Sequence, residues 1–417
     1  MKSYTGNETI HRLLDSLKAK GLNKKVYSDI IDEEGNQYVD LVQEGGGVFG
    51  IALVGYTYIM EKAGIRFFSL AGTSAGAINT IMIAGLGKIG DPVSEKILDI
   101  LARQNLFDFV DGSSSLKRIV QRYVDGKKCV TFLAILNSFR IRRYLKRHLG
   151  LNPGDTFQEW VDENLKNAGI VTLADLMQHR QKVPKLYHRE TKAEIQREAA
   201  IQIITSDITT KSKITFPGMA ELYWPDTNSV RPSCFVRASM SIPFFFYPYV
   251  VENIPDAGTT EDPGMPKEKT RWHKHTGYRG KIPEKVHFVD GGMLSNFPIN
   301  AFHRPGMPAK PTFGARLSTW RKEAKPIEKL KSFPGSMIST MRQLHDYDFL
   351  LKNDDYNKLI CSIDCDAQED EKGNPIFNWL DFNMSEELKV KLFNLGAERA
   401  LEFLDDFEWE KYRNSRS

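Results

Sequence analysis

The sequence predicts an α/β protein built on parallel strands, and three observations carry that expectation. A strand-like run, Tyr38 to Gln43, feeds into the glycine-rich turn Glu44-Gly45-Gly46-Gly47-Val48-Phe49-Gly50 and then a strongly apolar helix, Ile51 to Met60. Gly64 closes that helix, and a second strand, Ile65 to Ala71, runs into Gly72-Thr73-Ser74-Ala75-Gly76 and a small-residue helix pattern. A right-handed crossover makes the two strands parallel neighbours, with both turns at the same carboxyl edge of the sheet. The glycine loop and Ser74 therefore face one another.

Gly72 to Gly76 has the layout of a nucleophile elbow, G-x-S-x-G between strand and helix. Such a turn leaves no room for side chains beside the serine and favours glycine where φ is positive. A serine there sits at a helix N-terminus, where free N–H groups and the dipole favour the negative charge of an acyl-transfer intermediate. A purely structural turn is the alternative.

The preceding loop has three functional readings. Gly45, Gly47 and Gly50 fit the dinucleotide fingerprint, but the next strand ends at Leu70-Ala71 without the acidic residue that reading needs. No Gly-Lys-Ser/Thr follows, so a phosphate-binding P-loop is excluded. The third reading is an oxyanion hole of backbone N–H groups aimed at Ser74. A glycine-rich turn with no ligand stays open beside them.

Composition bounds the rest. With 417 residues, 41% hydrophobic, the chain has material for a sizeable core and a length compatible with two or three domains. The balance of 57 Lys+Arg against 53 Asp+Glu gives +4, too slight to indicate nucleic acid. Of four cysteines, Cys361 and Cys365 lie close, but no second pair or histidine cluster completes a metal site. They read as reduced structural thiols of a cytoplasmic protein, and no cofactor is expected. Met1 to Lys20 has no apolar core of a signal peptide. The uncharged run Phe67 to Gly87 raises the transmembrane question, but its Ser, Thr, Asn and Gly favour strand, elbow and buried helix. A soluble protein is expected.

In order, residues 1–36 read as a helical extension with Leu13, Leu14 and Leu17 on one face and a stop at Gly21-Leu22-Asn23. Residues 91–200 are mostly helical by pattern. Arg140 to His148 is the densest basic segment, interleaved with Phe139, Ile141, Leu145 and Leu149. It reads first as a solvated helix face and second as an amphipathic face for an anionic bilayer. Ala199 to Ser206 is a strand ending at Asp207, and Phe235 to Ser241 a closely packed helix stopped by Pro243. The aromatic cluster from Phe244 to Tyr249 suits either an acyl-chain pocket or the core. Residues 253–285, rich in Pro, Gly, Lys and Thr around Trp272, His273 and His275, read as a mobile surface insertion near the site entrance. The two histidines lack further metal ligands. Val286 to Val289 is a short strand delivering Asp290 onto Gly291-Gly292, which an ordinary Asp-Gly turn also explains. From Arg321 onward the chain is charged and largely helical, with a final helix starting at Ser385-Glu386-Glu387.

Together the Gly45-Gly46-Gly47-Val48-Phe49-Gly50 loop, the Gly72-Thr73-Ser74-Ala75-Gly76 elbow and Asp290-Gly291-Gly292 resemble the patatin-like phospholipase family. Arg237 to Phe246 resembles its A-S-x-S-I-P-x-x-F segment, Asn296 to Ile299 its asparagine-proline turn, and Gly396, Ala397 and Ala400 its terminal helix. The resemblance spans residues 37–405. It implies a three-layer α/β/α sandwich with a central, mostly parallel sheet and extra peripheral helices. It divides the chain into a 1–36 extension, a 37–320 catalytic domain and a 321–417 mainly helical part packed on it.

The resemblance also implies a lipid acyl hydrolase of phospholipase A type, without a catalytic histidine. Ser74 is then the nucleophile, Asp290 the general base, and Gly45, Gly46 and Gly47 the oxyanion hole. Gly50, Gly72, Gly76, Gly291 and Gly292 support the turns. The implied partner is a membrane phospholipid or other acyl-ester lipid, with peripheral membrane contact. An activator, a homo-oligomer and secretion without a cleavable signal stay open. Phe49 departs from the family pattern, which has Arg or Lys there, and this puts phosphate recognition at that point in question. Two alternatives are kept: a Ser-Asp-His triad using His303 or His345, and a non-catalytic lipid- or partner-binding module on the same fold.

Overall fold

A strand buried on both faces marks the middle of the sheet. The computed structural model describes residues 2–114, 117, 138–260, 271–319, 340 and 346–416. Its principal strands are β1 (Gln37–Gln43), β2 (Ile65–Thr73), β3 (Ile201–Asp207), β4 (Ser212–Phe216), β5 (Tyr249–Glu252), β6 (Lys285–Asp290), β7 (Thr312–Arg316) and β8 (Ile360–Ser362). Strands β8, β7, β1, β2 and β3 run parallel in that spatial order. All seven residues of β1 are buried, as expected for a parallel strand covered on both faces. Antiparallel strands extend the sheet: β4 and β6 pair with β3, and β5 with β6. The result is a mixed sheet, parallel at its centre and flanked by helices, so the expected α/β class holds.

The helices that matter for the site are α1 (Glu8–Ala19), α2 (Gly50–Lys62), α3 (Ala75–Leu86), α4 (Ser94–Arg103), α5 (Ser138–His148), α6 (Asp155–Asn167), α7 (Pro232–Ser239) and α8 (Glu386–Asp406). Helix α2 is buried from Ile51 to Glu61, so it lacks a solvent face and must pack on all sides. Helix α8 crosses it backbone to backbone. A Cβ on Gly55 would overlap the Phe393 carbonyl, and one on Gly396 would overlap the Ala52 carbonyl. Ser385 caps α8 by accepting from the Leu388 N–H at 3.3 Å. The N-terminal α1 buries Ile10, Leu13 and Leu17 and is tied to α8 by Asn7 Nδ2 donating to Asn394 Oδ1 at 3.1 Å.

The segment read as a surface insertion is anchored where it is described. The strands that flank it, β5 and β6, pair with each other, and within it Trp272 is buried edge-on against Tyr223 at 5.3 Å. Residues 261–270 lie outside the described residues, as do 320–339 and 341–345 of the part read as charged and helical. Among the described residues no helix is long and apolar enough to cross a membrane. Cys234, Cys361 and Cys365 are buried free thiols, and Cys129 lies outside the described residues.

Candidate active site

The sheet brings Ser74 and Asp290 together by an end-to-end meeting of two strands. Along one edge of β3, Ile204 pairs with Thr73 at the end of β2, and the next residue, Thr205, pairs with Asp290 at the end of β6. Strand β4 occupies the opposite edge. The carboxyl ends of β2 and β6 therefore converge on consecutive residues of one strand, and both turns leave the sheet there. Gly291 is held to the same point: a Cβ on it would overlap the Ile204 carbonyl and lie 3.0 Å from Thr73 Cγ2.

At the elbow, Ser74 adopts φ 50 and ψ −115, a left-handed-side conformation rare for a residue with a side chain. Surrounding contacts must over-determine such a backbone. Ser239 Oγ accepts the Ser74 N–H at 2.9 Å and donates to the Ile204 carbonyl at 2.6 Å. Thr73 Oγ1 donates to the Ser295 carbonyl at 3.0 Å, tying the elbow to the turn beyond Asp290. A Cβ on Gly76 would overlap the Gln43 carbonyl, so α3 can begin this close to β1 only with glycine there. Gln43 then holds α3 from below, accepting from Asn79 Nδ2 at 2.5 Å and donating to Thr80 Oγ1 at 3.1 Å.

Asp290 is buried, 6% exposed. Its N–H donates to the Ser241 carbonyl at 2.9 Å, its Oδ1 accepts the Gly292 N–H at 2.7 Å, and its carbonyl accepts from Ser206 Oγ at 3.0 Å. The serine pair in Ala238-Ser239-Met240-Ser241 thus fixes both candidate catalytic residues, Ser74 through Ser239 and Asp290 through Ser241. Buried Arg237 braces the pair, donating to Ser241 Oγ at 2.6 Å, to the Tyr247 carbonyl at 3.0 Å and to the Pro153 carbonyl. Burial lowers the Arg237 pKa to about 10, so it stays charged at neutral pH.

The glycine loop lies directly against the elbow. A Cβ on Gly45 would sit 3.1 Å from Ser74 Cβ, and one on Gly50 the same distance from Ala75 Cβ. The Gly45 N–H donates to the Asn296 carbonyl at 3.0 Å. Gly47 has φ 56 and is pressed against the Trp379 carbonyl, which accepts the Val48 N–H at 3.0 Å. The N–H groups of Gly46 and Gly47 have no partner among the described residues. Phe49 is buried beside Gly46, in the core rather than on the rim, so no cation stands at this position.

Asn296 joins this loop to the Asp290 turn. Its Nδ2 donates to Glu44 Oε1 at 3.0 Å and to the Gly45 carbonyl at 3.1 Å. Its N–H, with that of Phe297 and the Ser295 hydroxyl, donates to the buried Asp346 carboxylate at 2.9, 2.8 and 2.7 Å. Burial outweighs these bonds and pushes the Asp346 pKa up to about 7. Glu44 also accepts from the N–H groups of Leu317 and Ser318 at 2.6 and 2.8 Å. The bracing roles of Glu44, Ser239 and Ser241 are not evident from the motifs that contain them, and Asp346 belongs to no motif.

Ser74 opens into an apolar cavity of about 80 Å³. It follows one face of α3 through Ala75, Ile78 and Met82, about 12 Å of helix, and reaches Phe109, Phe157 and Trp160. The aromatic run after Pro243 divides in two: Phe246 fills the core, whereas Phe244 is exposed. His303 lies elsewhere, in a separate cavity with Asp40 and Lys310, its Nδ1 2.9 Å from Tyr356 Oη. His345 lies outside the described residues. Asp207 caps its own turn, accepting from the Thr209 and Thr210 N–H groups at 2.8 and 3.0 Å. Among the described residues no cluster of His, Cys, Asp and Glu could hold a metal ion.

Comparison with a family model shows the family to which the chain belongs. A family model described as patatin-like phospholipase matches residues 41–303. The uncharacterized protein YqhO of Bacillus subtilis (strain 168) is 28% identical over 374 residues, 89% of this chain and all of that one. The crystal structure of VipD from Legionella pneumophila aligns over 92% of this chain and 70% of its own, at 14% identity and a TM-score of 0.39.

Proposed function

Because the chain belongs to the patatin-like phospholipase family, a family of lipid acyl hydrolases, we propose that it cleaves acyl esters of membrane lipids in the phospholipase A manner through a Ser74–Asp290 dyad. The observation that carries this reading is the convergence of β2 and β6 on Ile204 and Thr205, with an apolar cavity opening at Ser74.

Ser74 Oγ attacks the ester carbonyl while Asp290 takes its proton, and Asp290 then gives that proton to the departing alkoxide, which leaves as a lysolipid from an acyl-enzyme. Water, deprotonated by Asp290, then attacks the acyl carbon, and Asp290 returns the proton to Ser74 Oγ as the fatty acid leaves. The N–H groups of Gly46 and Gly47 stabilise the oxyanion. The Gly45 N–H is committed to Asn296, so Gly45 serves through its close approach to Ser74. A carboxylate is a weak base for a serine, so this role calls for a partly desolvated site, and Asp290 is buried. The part of the acyl chain next to the ester lies along α3 in the apolar cavity, whose volume of about 80 Å³ takes a few methylenes and not a whole chain. With Phe49 in the core, headgroup phosphate finds no cation in the glycine loop, which favours recognition by the acyl portion.

The test is release of fatty acid and lysolipid from mixed phospholipid vesicles by wild type and Ser74→Ala, read by mass spectrometry. Release by wild type alone supports the reading and identifies the cleaved position. Equal release by both overturns it.

A further inference from the structure

One edge of the molecule beside the Ser74 cavity presents large apolar side chains to solvent. Two short strands, Gly150–Asn152 and Phe244–Phe246, run parallel there with Gly150 opposite Phe244. Phe244 is 65% exposed and Leu149 50% exposed. Both sit at positive φ, 67 and 59, a conformation that bulky residues rarely adopt. Folding thus holds two apolar side chains outward at a conformational cost, without gaining core packing from them.

Directly behind this edge lies the candidate active site. Phe245 stacks on Phe382 at 5.4 Å, and Phe382, Ile242 and Met240 line the cavity that contains Ser74. On its flank is the basic helix α5, whose last residue, His148, stacks on Tyr247 at 4.6 Å. Arg142, Arg143, Lys146 and Arg147 are exposed on α5 and have no carboxylate partner among the described residues. Asp111 and Asp155 are the carboxylates that bear on this region through Tyr247. Asp111 is turned inward, accepting the Gly154 and Thr156 N–H groups at 2.9 and 3.2 Å. Asp155 opens α6, where it complements the helix dipole.

We propose that this edge docks the protein on an anionic lipid bilayer, with Phe244 and Leu149 entering the interfacial layer and α5 lying on the headgroups. Cations beside apolar anchors are the combination that binds such a surface, since neither charge nor one or two inserted side chains suffices alone. Docking here sets the cavity against the membrane, so an acyl chain moves from lipid to Ser74 without crossing water. The purpose of the surface rests on the hydrolase reading; its existence rests on exposure and charge.

Sedimentation with vesicles tests it, using phosphatidylcholine alone and an equimolar mixture with phosphatidylglycerol, at low and high salt. Wild type and Ser74→Ala should both bind the anionic vesicles at least about tenfold more tightly, with an advantage that salt removes, since each cation contributes roughly fivefold. Arg143→Glu combined with Arg147→Glu should abolish the preference. Phe244→Ser should weaken binding to both vesicles at every salt concentration. Thermal melting and turnover of a water-soluble ester establish that these variants fold.

Equal binding of wild type to both vesicles overturns the proposal, and so does wild-type behaviour in either variant. Loss in the charge-reversed variant alone overturns it too, because that result describes a surface for an acidic protein or nucleic acid. Binding that follows these residues, with no lipid hydrolysed by wild type, supports the docking surface and counts against the hydrolase.

Discussion

The backbone N–H of Ser74 donates to the Oγ of Ser239 at 2.9 Å, and Ser239 is itself anchored on the Ile204 carbonyl. A residue 165 positions away therefore holds the strained backbone of the elbow. Ser239→Ala leaves the Ser74 N–H buried and unpaired, which costs about 1–3 kcal/mol of stability and frees the elbow to relax. The expected result is a fall in kcat of roughly tenfold or more with KM little changed, since Ser239 does not line the cavity proposed for the acyl chain. Labelling of Ser74 by a fluorophosphonate should slow in proportion. Loss of stability with unchanged labelling kinetics would reduce Ser239 to a packing role.

Asp290→Asn separates base chemistry from folding. The carboxylate Oδ1 accepts the Gly292 N–H, and an asparagine carbonyl oxygen can accept the same bond. The turn should therefore form and the melting temperature change little. Turnover should drop by about 10²–10⁴, the usual worth of a positioned base. Near-normal turnover in this variant would exclude Asp290 as the base and reopen a search that includes His345.

Gly47→Ala tests the oxyanion role proposed for the glycine loop. Gly47 has φ 56, and a Cβ there would overlap the Trp379 carbonyl. The loop must shift to admit the methyl group, taking with it the N–H groups of Gly46 and Gly47. Loss of a well-placed oxyanion donor lowers kcat by about 10²–10³, and a loss in that range is expected here. Binding of a non-hydrolysable lipid analogue should fall far less than turnover, because Gly47 is one of the cavity's lining residues but most of the lining lies along α3 and beyond, at Ile78, Met82, Phe109 and Trp160.

The sequence made some of this legible because some of it is local. The two strand–turn–helix units depend on glycines within a few residues of Ser74, and their steric demands are those of a tight turn. The bracing around them is not local. Ser239 and Ser241 reach Ser74 and Asp290 from a helix end far along the chain, and Asp346 reaches Asn296 from 50 residues away. Two closely spaced serines in an otherwise apolar stretch were the available signal for the first pair. For Asp346 there was none, since an aspartate in a charged region reads as solvated. The aromatic run after Pro243 was ambiguous for a related reason: only tertiary packing decides that Phe246 turns inward and Phe244 outward. Trp272 likewise anchors a stretch whose composition suggests a mobile loop.

Asp346 gives the fold a distinctive pH response. Its carboxyl titrates near 7 in the folded protein because burial opposes the charge, against an ordinary value of 3.8. Between those two values the native protein retains a proton that the unfolded chain has released, so raising the pH favours unfolding. The stability this group contributes is fully present below 3.8 and is lost as the pH rises through about 7. In Asp346→Asn, the amide oxygen can still accept from Asn296 and Phe297 while the amide nitrogen faces the Ser295 hydroxyl, which reverses its bond to accept. The variant should therefore fold, and the difference between its melting temperature and that of wild type should grow in its favour from mildly acidic to neutral pH. Thermal melts of both proteins across that range read this directly. Parallel melting curves at every pH would mean that Asp346 is ionised throughout, held by its three donors against the cost of burial.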